Sequence, residues 1–166
     1  MKKEKEMERR AEEVIYSPAD GKILPLSLVE DEVFSAGILG DGVGVVPKTG
    51  EIFAPCDGVV DAIFDSRHAV SMTSDFGAEL LIHCGNDTVE LKGEGFQLAI
   101  AQGCHVKRGE LLLRFDPNLL KERGYYTTTP VIVVNADSYV VEKAESGAVR
   151  VGEPLMRLLH KKEGAR

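Results

Sequence analysis

The sequence has no excess of basic residues: 20 Lys and Arg face 27 Asp and Glu, for a formal net charge of -7 and a pI near 5.2. Nucleic acid and anionic membranes both reward a concentrated basic surface, so neither is expected as the main partner, and a basic protein is the more natural one. No run approaches the roughly 18 apolar residues that span a bilayer, and the N-terminus lacks the apolar core of a signal peptide. A cytoplasmic chain without direct membrane insertion is the expectation. Cysteine is scarce as well. Cys56, Cys84 and Cys104 are odd in number and show no CxxC spacing, which argues against a disulfide framework and a thiolate zinc site and leaves free thiols.

What is present is enough for one domain with a substantial core: 166 residues, 43% of them hydrophobic. Residues 1–13 are dominated by charges of both signs and cannot bury an apolar stripe, so they read as a solvated helix or a frayed extension. Residues 14–160 form the body, and 161–166 a C-terminal tail. The body runs in short Val/Ile/Leu-rich segments punctuated by Gly, Pro, Asp and Asn, the pattern of an all-β protein. Strands are predicted at Val43–Val46, Gly58–Phe64, His68–Thr73, Glu79–Cys84, Leu111–Phe115 and Val131–Val134. One internal helix is predicted, with Asp116 as its cap, Pro117 in its first turn and Gly124 at its end.

Two local patterns recur. Pro18-Ala-Asp-Gly21 echoes Pro55-Cys-Asp-Gly58, each a turn delivering the chain into a strand, and Gly103 to Gly109 forms another tight turn before an apolar strand. Such turns fit a compact sandwich or barrel of antiparallel strands. The glycines of Gly40-Asp-Gly-Val-Gly44 lack the second half of a dinucleotide fingerprint, a Walker Lys-Ser/Thr and a helix to receive phosphate, so they are assigned to close backbone packing.

The chemistry-bearing feature is a pair of histidines. The runs His68–Thr73 and Ala78–His83 flank Ser74-Asp-Phe-Gly77, a sequence with turn chemistry, and together they read as a β-hairpin. If Thr73 pairs with Ala78, then Val70 meets Leu81 and His68 meets His83, with Ala69, Ser71, Leu80 and Ile82 on the other side. Opposed residues have Cβ atoms roughly 4.5 to 5.5 Å apart, so both rings can act on one anion, metal ion or transferred group. A three-residue loop or a bulge would instead put them on opposite faces. A histidine in a strand is usually a surface residue or a hydrogen-bonded core residue, and it is the pairing that gives these two interest. Zinc normally wants three protein ligands at a catalytic site, and Glu79 is a remote third. Without a metal, two imidazoles suit phosphoryl chemistry: one as nucleophile, the other as donor to the phosphoryl oxygens.

The segment Leu80-Leu-Ile-His83-Cys-Gly-Asn-Asp87-Thr-Val-Glu-Leu-Lys-Gly-Glu-Gly-Phe96 resembles the active-histidine signature of the glucose-type enzyme IIA (EIIA) family of the bacterial phosphoenolpyruvate-dependent sugar phosphotransferase system. Ala54–Gly58, Ser66-Arg-His-Ala69, Gly40-Asp-Gly42 and Thr128-Thr-Pro-Val131 match in the same order, and the resemblance runs from about Ile15 to Leu159. It implies an antiparallel β-sandwich with Greek-key and jelly-roll connections. It also implies a phosphocarrier in which His83 takes a phosphoryl group on Nε2 from the carrier protein HPr and passes it to a cysteine of an EIIB domain during sugar uptake.

The same resemblance implies that His68 stabilises the group without being phosphorylated and that the hydroxyl of Ser66, where the family usually has Thr, belongs to the network orienting the active imidazole. It implies that the Gly85 carbonyl accepts from His83 Nδ1, and that Asp87 is an acidic position beside the site. Val33 and Phe34 match part of a shallow apolar rim that docks HPr and EIIB, with Asp31 steering a basic partner. Cys84 and Asn86 stand where large apolar residues are common, which bears on partner affinity more than on chemistry. No cofactor is implied for transfer. An alternative role is regulatory, binding permeases or metabolic enzymes according to phosphorylation state, in some members through zinc held by His68 and His83.

Overall fold

The structure, a computed structural model, describes residues 12–161. Fourteen strands dominate it: β1 Glu12–Tyr16, β2 Gly21–Pro25, β3 Asp41–Pro47, β4 Glu51–Phe53, β5 Gly58–Ile63, β6 Ala69–Ser74, β7 Glu79–His83, β8 Phe96–Leu98, β9 His105–Val106, β10 Leu111–Phe115, β11 Thr129–Val133, β12 Tyr139–Lys143, β13 Ala148–Val149 and β14 Pro154–His160. They form an eight-stranded sheet in the order β13-β2-β3-β11-β7-β6-β5-β9 and two three-stranded sheets, β1-β14-β12 and β4-β10-β8. All pairings among the described residues are antiparallel. The fold is an antiparallel β-sandwich. No described helix is long and apolar enough to cross a membrane.

The core follows from strand alternation. Val70, Met72, Leu80, Ile82, Val131 and Val133 turn one face of the large sheet inward, where they meet Ile15, Leu155 and Leu158 of one small sheet and Ile52, Leu112 and Leu113 of the other. The opposite face carries Ala69, Leu81 and Ile132. These are covered by Leu26, Val29 and Phe34 from the segment between β2 and β3, which makes a second, smaller apolar cluster. That segment contains a short helix absent from the sequence-based expectation, α1 Glu32–Ser35, whose start is capped by Asp31 accepting from the Val33 amide at 3.0 Å. The predicted helix is present as α2 Pro117–Glu122, with the Asp116 carboxylate accepting from the amides of Asn118 and Leu119.

The N-terminal boundary needs correction. Glu12 and Glu13, expected in the solvated extension, belong to β1 and pair with Leu159 and Leu158 of β14. Glu13 is buried and accepts from the Ser74 hydroxyl at 2.9 Å, so a charged composition concealed a strand with one satisfied inward carboxylate. Residues 1–11 and 162–166, the remainder of the extension and of the tail, lie outside the described residues.

The echoed turns do the same work twice. Asp20 Oδ1 accepts from the Val151 amide and Asp57 Oδ1 from the Arg108 amide, both at 2.8 Å, so each Pro-x-Asp-Gly turn is tied to a second turn elsewhere in the chain. Those second turns are alike too, Val149-Arg-Val-Gly-Glu153 and Val106-Lys-Arg-Gly-Glu110. The glycines of β3 act as packing elements: Gly42 pairs with Ile132 of β11, and a Cβ there would be driven into the carbonyl oxygen of Val131. Gly42→Ala is therefore expected to cost about 3 kcal/mol or more in chemical denaturation. Gly109→Ala, with a φ of 85° but open space around it, should cost only about 1–2 kcal/mol.

Candidate functional site

The β6–β7 hairpin brings the two histidines together by a route different from the predicted one. Ser74 and Ala78 close a three-residue loop, Asp75-Phe76-Gly77, and the register is Ala69↔His83, Val70↔Ile82, Ser71↔Leu81, Met72↔Leu80 and Thr73↔Glu79. The predicted pairing of His68 with His83 is thus wrong by one residue. Gly77, at a φ of 101°, supplies the left-handed position that a three-residue hairpin loop takes. Ala69 and Ser71 consequently share the His83 face, while Leu80 and Ile82 share the core face with Val70 and Met72.

His68 nonetheless reaches His83. It is the last residue of the Phe64–His68 loop joining β5 to β6, and its carbonyl accepts from the Cys84 amide at 2.7 Å. Its ring lies 4.8 Å from the His83 ring, centroid to centroid, at an interplanar angle of 82°. Phe64 stands edge-on to His68 at 5.6 Å, and Phe34 leans on His83 at 4.9 Å. His68 is 2% exposed and its Nδ1 is buried without a hydrogen-bond partner. Burial, reinforced by the neighbouring His83, pushes its pKa down to about 4.

His83 is half-buried at the end of β7, and its Nδ1 is 2.8 Å from the Gly85 carbonyl oxygen. A carbonyl can only accept, so the Nδ1 carries the proton and Nε2 keeps its lone pair. Burial lowers the His83 pKa, opposed by the Gly85 bond and by the negative charges of Asp31 and Asp87. Gly85 has a φ of 83°, and a Cβ there would sit 2.6 Å from Thr88 Cγ2 and 2.7 Å from the Tyr126 carbonyl oxygen. Only glycine presents that carbonyl to the ring.

The other candidate residues are distributed around this pair. Asp87 is exposed, left-handed at a φ of 58°, and opens the 3-10 turn Thr88–Leu91. The Ser66 hydroxyl donates to the Val89 carbonyl at 3.3 Å, a tie between the β5–β6 loop and that turn. Phe34 is 5% exposed and supports His83 from below, which corrects its expected place on a docking rim. Val33 beside it is exposed, and Asp31 caps α1 at the same edge. Cys84 is fully buried on the core face, its thiol pushed up to about 12 by burial. It packs in the main core. Asn86 is half-buried.

Sequence reasoning missed two residues of this neighbourhood, Phe64 and Val89. Both are exposed large hydrophobics, one beside His68 and the other on the turn that Ser66 holds; nothing in their spacing marks them, because each belongs to a loop. For zinc, the site offers two imidazoles and no third ligand: no group of three or more His, Cys, Asp or Glu among the described residues is placed to hold a metal ion. The residues present do not by themselves make a structural or catalytic zinc centre.

Comparison with known proteins agrees with this geometry. The family model for the phosphoenolpyruvate-dependent sugar phosphotransferase system, EIIA 1, matches residues 13–139. The chain is 44% identical over 143 residues to the glucoside-specific EIICBA component of Staphylococcus carnosus (strain TM300), covering 86% of this chain and 21% of that protein. It is 45% identical over 147 residues to the beta-glucoside-specific EIIBCA component of Bacillus subtilis (strain 168), covering 88% and 24%. It therefore spans about a quarter or less of the length of these curated relatives. Among solved structures, glucose permease IIA from Mycoplasma capricolum superposes with a TM-score of 0.83 at 32% identity, over 88% of this chain and 95% of that one. The chain belongs to the EIIA 1 family of the phosphoenolpyruvate-dependent sugar phosphotransferase system, as a phosphotransferase component of it.

Proposed function

We propose that this chain is a phosphocarrier in which His83 Nε2 receives a phosphoryl group from the phosphohistidine of HPr and yields it to a cysteine of an EIIB domain. The observation that carries this reading is the Nδ1–Gly85 bond beside a perpendicular His68. The bond leaves the lone pair on Nε2, so attack on phosphorus needs no base. The P–N bond to the donor imidazole breaks as the new P–N bond forms, and that bond breaks in turn as a thiolate sulfur attacks. His68, neutral and with an unpartnered Nδ1, keeps its proton on Nε2 and donates it as a hydrogen bond to a phosphoryl oxygen. The EIIB partner is supported by relatives whose names join EIIA to EIIB and EIIC in one protein.

Docking falls to the apolar residues around the rings. Val33, Phe64 and Val89 are exposed at the positions flanking His83, His68 and the Ser66-bound turn. Asp31 and Asp87 put negative charge beside this surface, which steers a basic partner toward it.

Three outcomes test the proposal. With phosphoenolpyruvate, enzyme I and HPr supplied, alkaline mass spectrometry should place a phosphoryl group on His83, and His83→Ala should take none. His68→Ala should still be labelled but pass the group to EIIB on the order of a hundredfold more slowly, the usual cost of an oxyanion donor. Labelling that persists in His83→Ala would sink the assignment.

Docking separates the two neighbouring apolar residues. Val33→Asp should raise the KM for phospho-HPr with stability unchanged, because the side chain is 45% exposed. Phe34→Asp should instead unfold the protein, since it places an unpaired carboxylate in an apolar cluster. Thermal melts and transfer kinetics on both variants check this.

The third outcome concerns pH. The folded pKa of His68, about 4, lies below the ordinary 6.5, so the unfolded chain takes up the proton first as pH falls. The stability this group contributes is complete above pH 6.5 and is lost between there and pH 4. Denaturation at pH 7 and pH 5 should therefore show the protein weaker at pH 5, with His68 accounting for on the order of 1 kcal/mol after solvent screening. His68→Gln should have the smaller pH dependence, and an equal slope in both proteins would remove His68 as the cause.

A further inference from the structure

The described chain contains three non-glycine residues with left-handed φ, Arg67 at 59°, Asp87 at 58° and Lys92 at 52°. All three lie in the two loops that Ser66 ties together beside the histidines. Strain of this kind persists where the surroundings impose it, and its concentration here asks what each residue holds in place. Arg67 gives the clearest answer.

The register sets the problem. Ala69 opposes His83 and packs in the small cluster with Leu81, Ile132 and Phe34, so by alternation the residue before Ala69 belongs on the core face with Val70 and Cys84. The His68 ring is found instead 4.8 Å from His83, against Phe64. Between the loop and β6 the chain closes a turn, with the Arg67 amide donating to the Phe64 carbonyl at 2.7 Å and the Phe64 amide to the Ala69 carbonyl at 3.0 Å. The left-handed residue sits immediately before His68, where strand geometry begins. The Arg67 side chain is exposed and takes part in no ion pair among the described residues.

We propose that Arg67 is a positioning residue whose left-handed backbone, not its charge, turns the His68 imidazole off the strand alternation and onto His83. The proposal rests on the phosphocarrier reading for its functional consequence and on the register alone for its geometry. A residue that adopts left-handed φ freely should preserve the arrangement, and a β-branched one, for which that region is most hindered, should lose it.

Arg67→Gly and Arg67→Ile, each alone and combined with His68→Ala, decide the matter in the full chain. Arg67→Gly should keep the nuclear Overhauser contact between the two imidazole rings and pass the phosphoryl group to EIIB at close to the wild-type rate. Arg67→Ile should lose the contact and slow transfer on the order of tenfold or more, while slowing the His68→Ala protein no further. If Arg67→Ile does not fold, Arg67→Ala, a milder penalty on the same φ, is read in its place. The proposal is overturned by Arg67→Ile with rings together and wild-type transfer, by Arg67→Gly as slow as Arg67→Ile, or by losses that add to that of His68→Ala. Failure of the phosphocarrier reading shows separately, as a wild-type His83 that takes no phosphoryl group from phospho-HPr, and the ring contact still tests the positioning.

Discussion

The hydrogen bond from His83 Nδ1 to the Gly85 carbonyl is the interaction on which the site depends. It spans only two residues, and it forms because the chain reverses immediately after β7 through a left-handed Gly85. The reversal is held from outside: the Gly85 amide donates to the Thr128 carbonyl, the Asn86 amide to the Tyr126 carbonyl, and the Thr88 hydroxyl to the Cys84 carbonyl. The strand β11 thus fixes His83 twice, by pairing with β7 and by lending the segment before it to the loop. A tautomer that would exchange freely in solution is set by backbone geometry, and in the proposed transfer Nε2 needs no catalytic base.

Electrostatics at the site run in opposing directions. Burial keeps both imidazoles neutral at physiological pH, which preserves the nucleophile, yet the nearest charges on the His83 side are the carboxylates of Asp31 and Asp87. In the proposed transfer, those carboxylates repel the arriving phosphoryl dianion. For an acceptor that must release its cargo, such repulsion favours turnover: a strongly cationic pocket would bind the phosphorylated state tightly and slow its loss. In the proposed transfer, the compensation offered by His68 is a directed hydrogen bond rather than a fixed charge, and it acts most where the phosphoryl oxygens pass.

Much of the fold was legible because strand alternation and turn residues report local physics. The six predicted strands and the Asp116-capped helix are present within a residue or two at each end. Composition misled at Glu12 and Glu13, where a charged stretch conceals a strand, because one buried carboxylate satisfied by Ser74 carries no sequence signature. The short α1 was missed for the opposite reason: one capped turn of four residues leaves no periodicity. At the site, the proximity of His68 and His83 was legible while the route to it was not, and Ser66 and Phe34 take positions that local pattern did not foretell. Their new positions depend on Val89 and on the α1 cluster, contacts distant in sequence that no local pattern encodes.

The two turns at the ends of β6 explain how such proximity survives a wrong register. At one end the three-residue Asp75–Gly77 loop offsets the pairing by one residue, which would send His68 to the core face. At the other end the five-residue Phe64–His68 loop keeps His68 out of the strand altogether, so alternation does not govern its side chain. A regular strand beginning at His68 would need an even hairpin to make the same pair, and would then turn Val70 and Met72 out of the main core to the side now occupied by Leu81. The observed arrangement keeps those two large side chains in the main core while still delivering two imidazoles to one surface. Placing the second histidine on a loop lets the core and the site be satisfied together, at the cost of a left-handed backbone at Arg67.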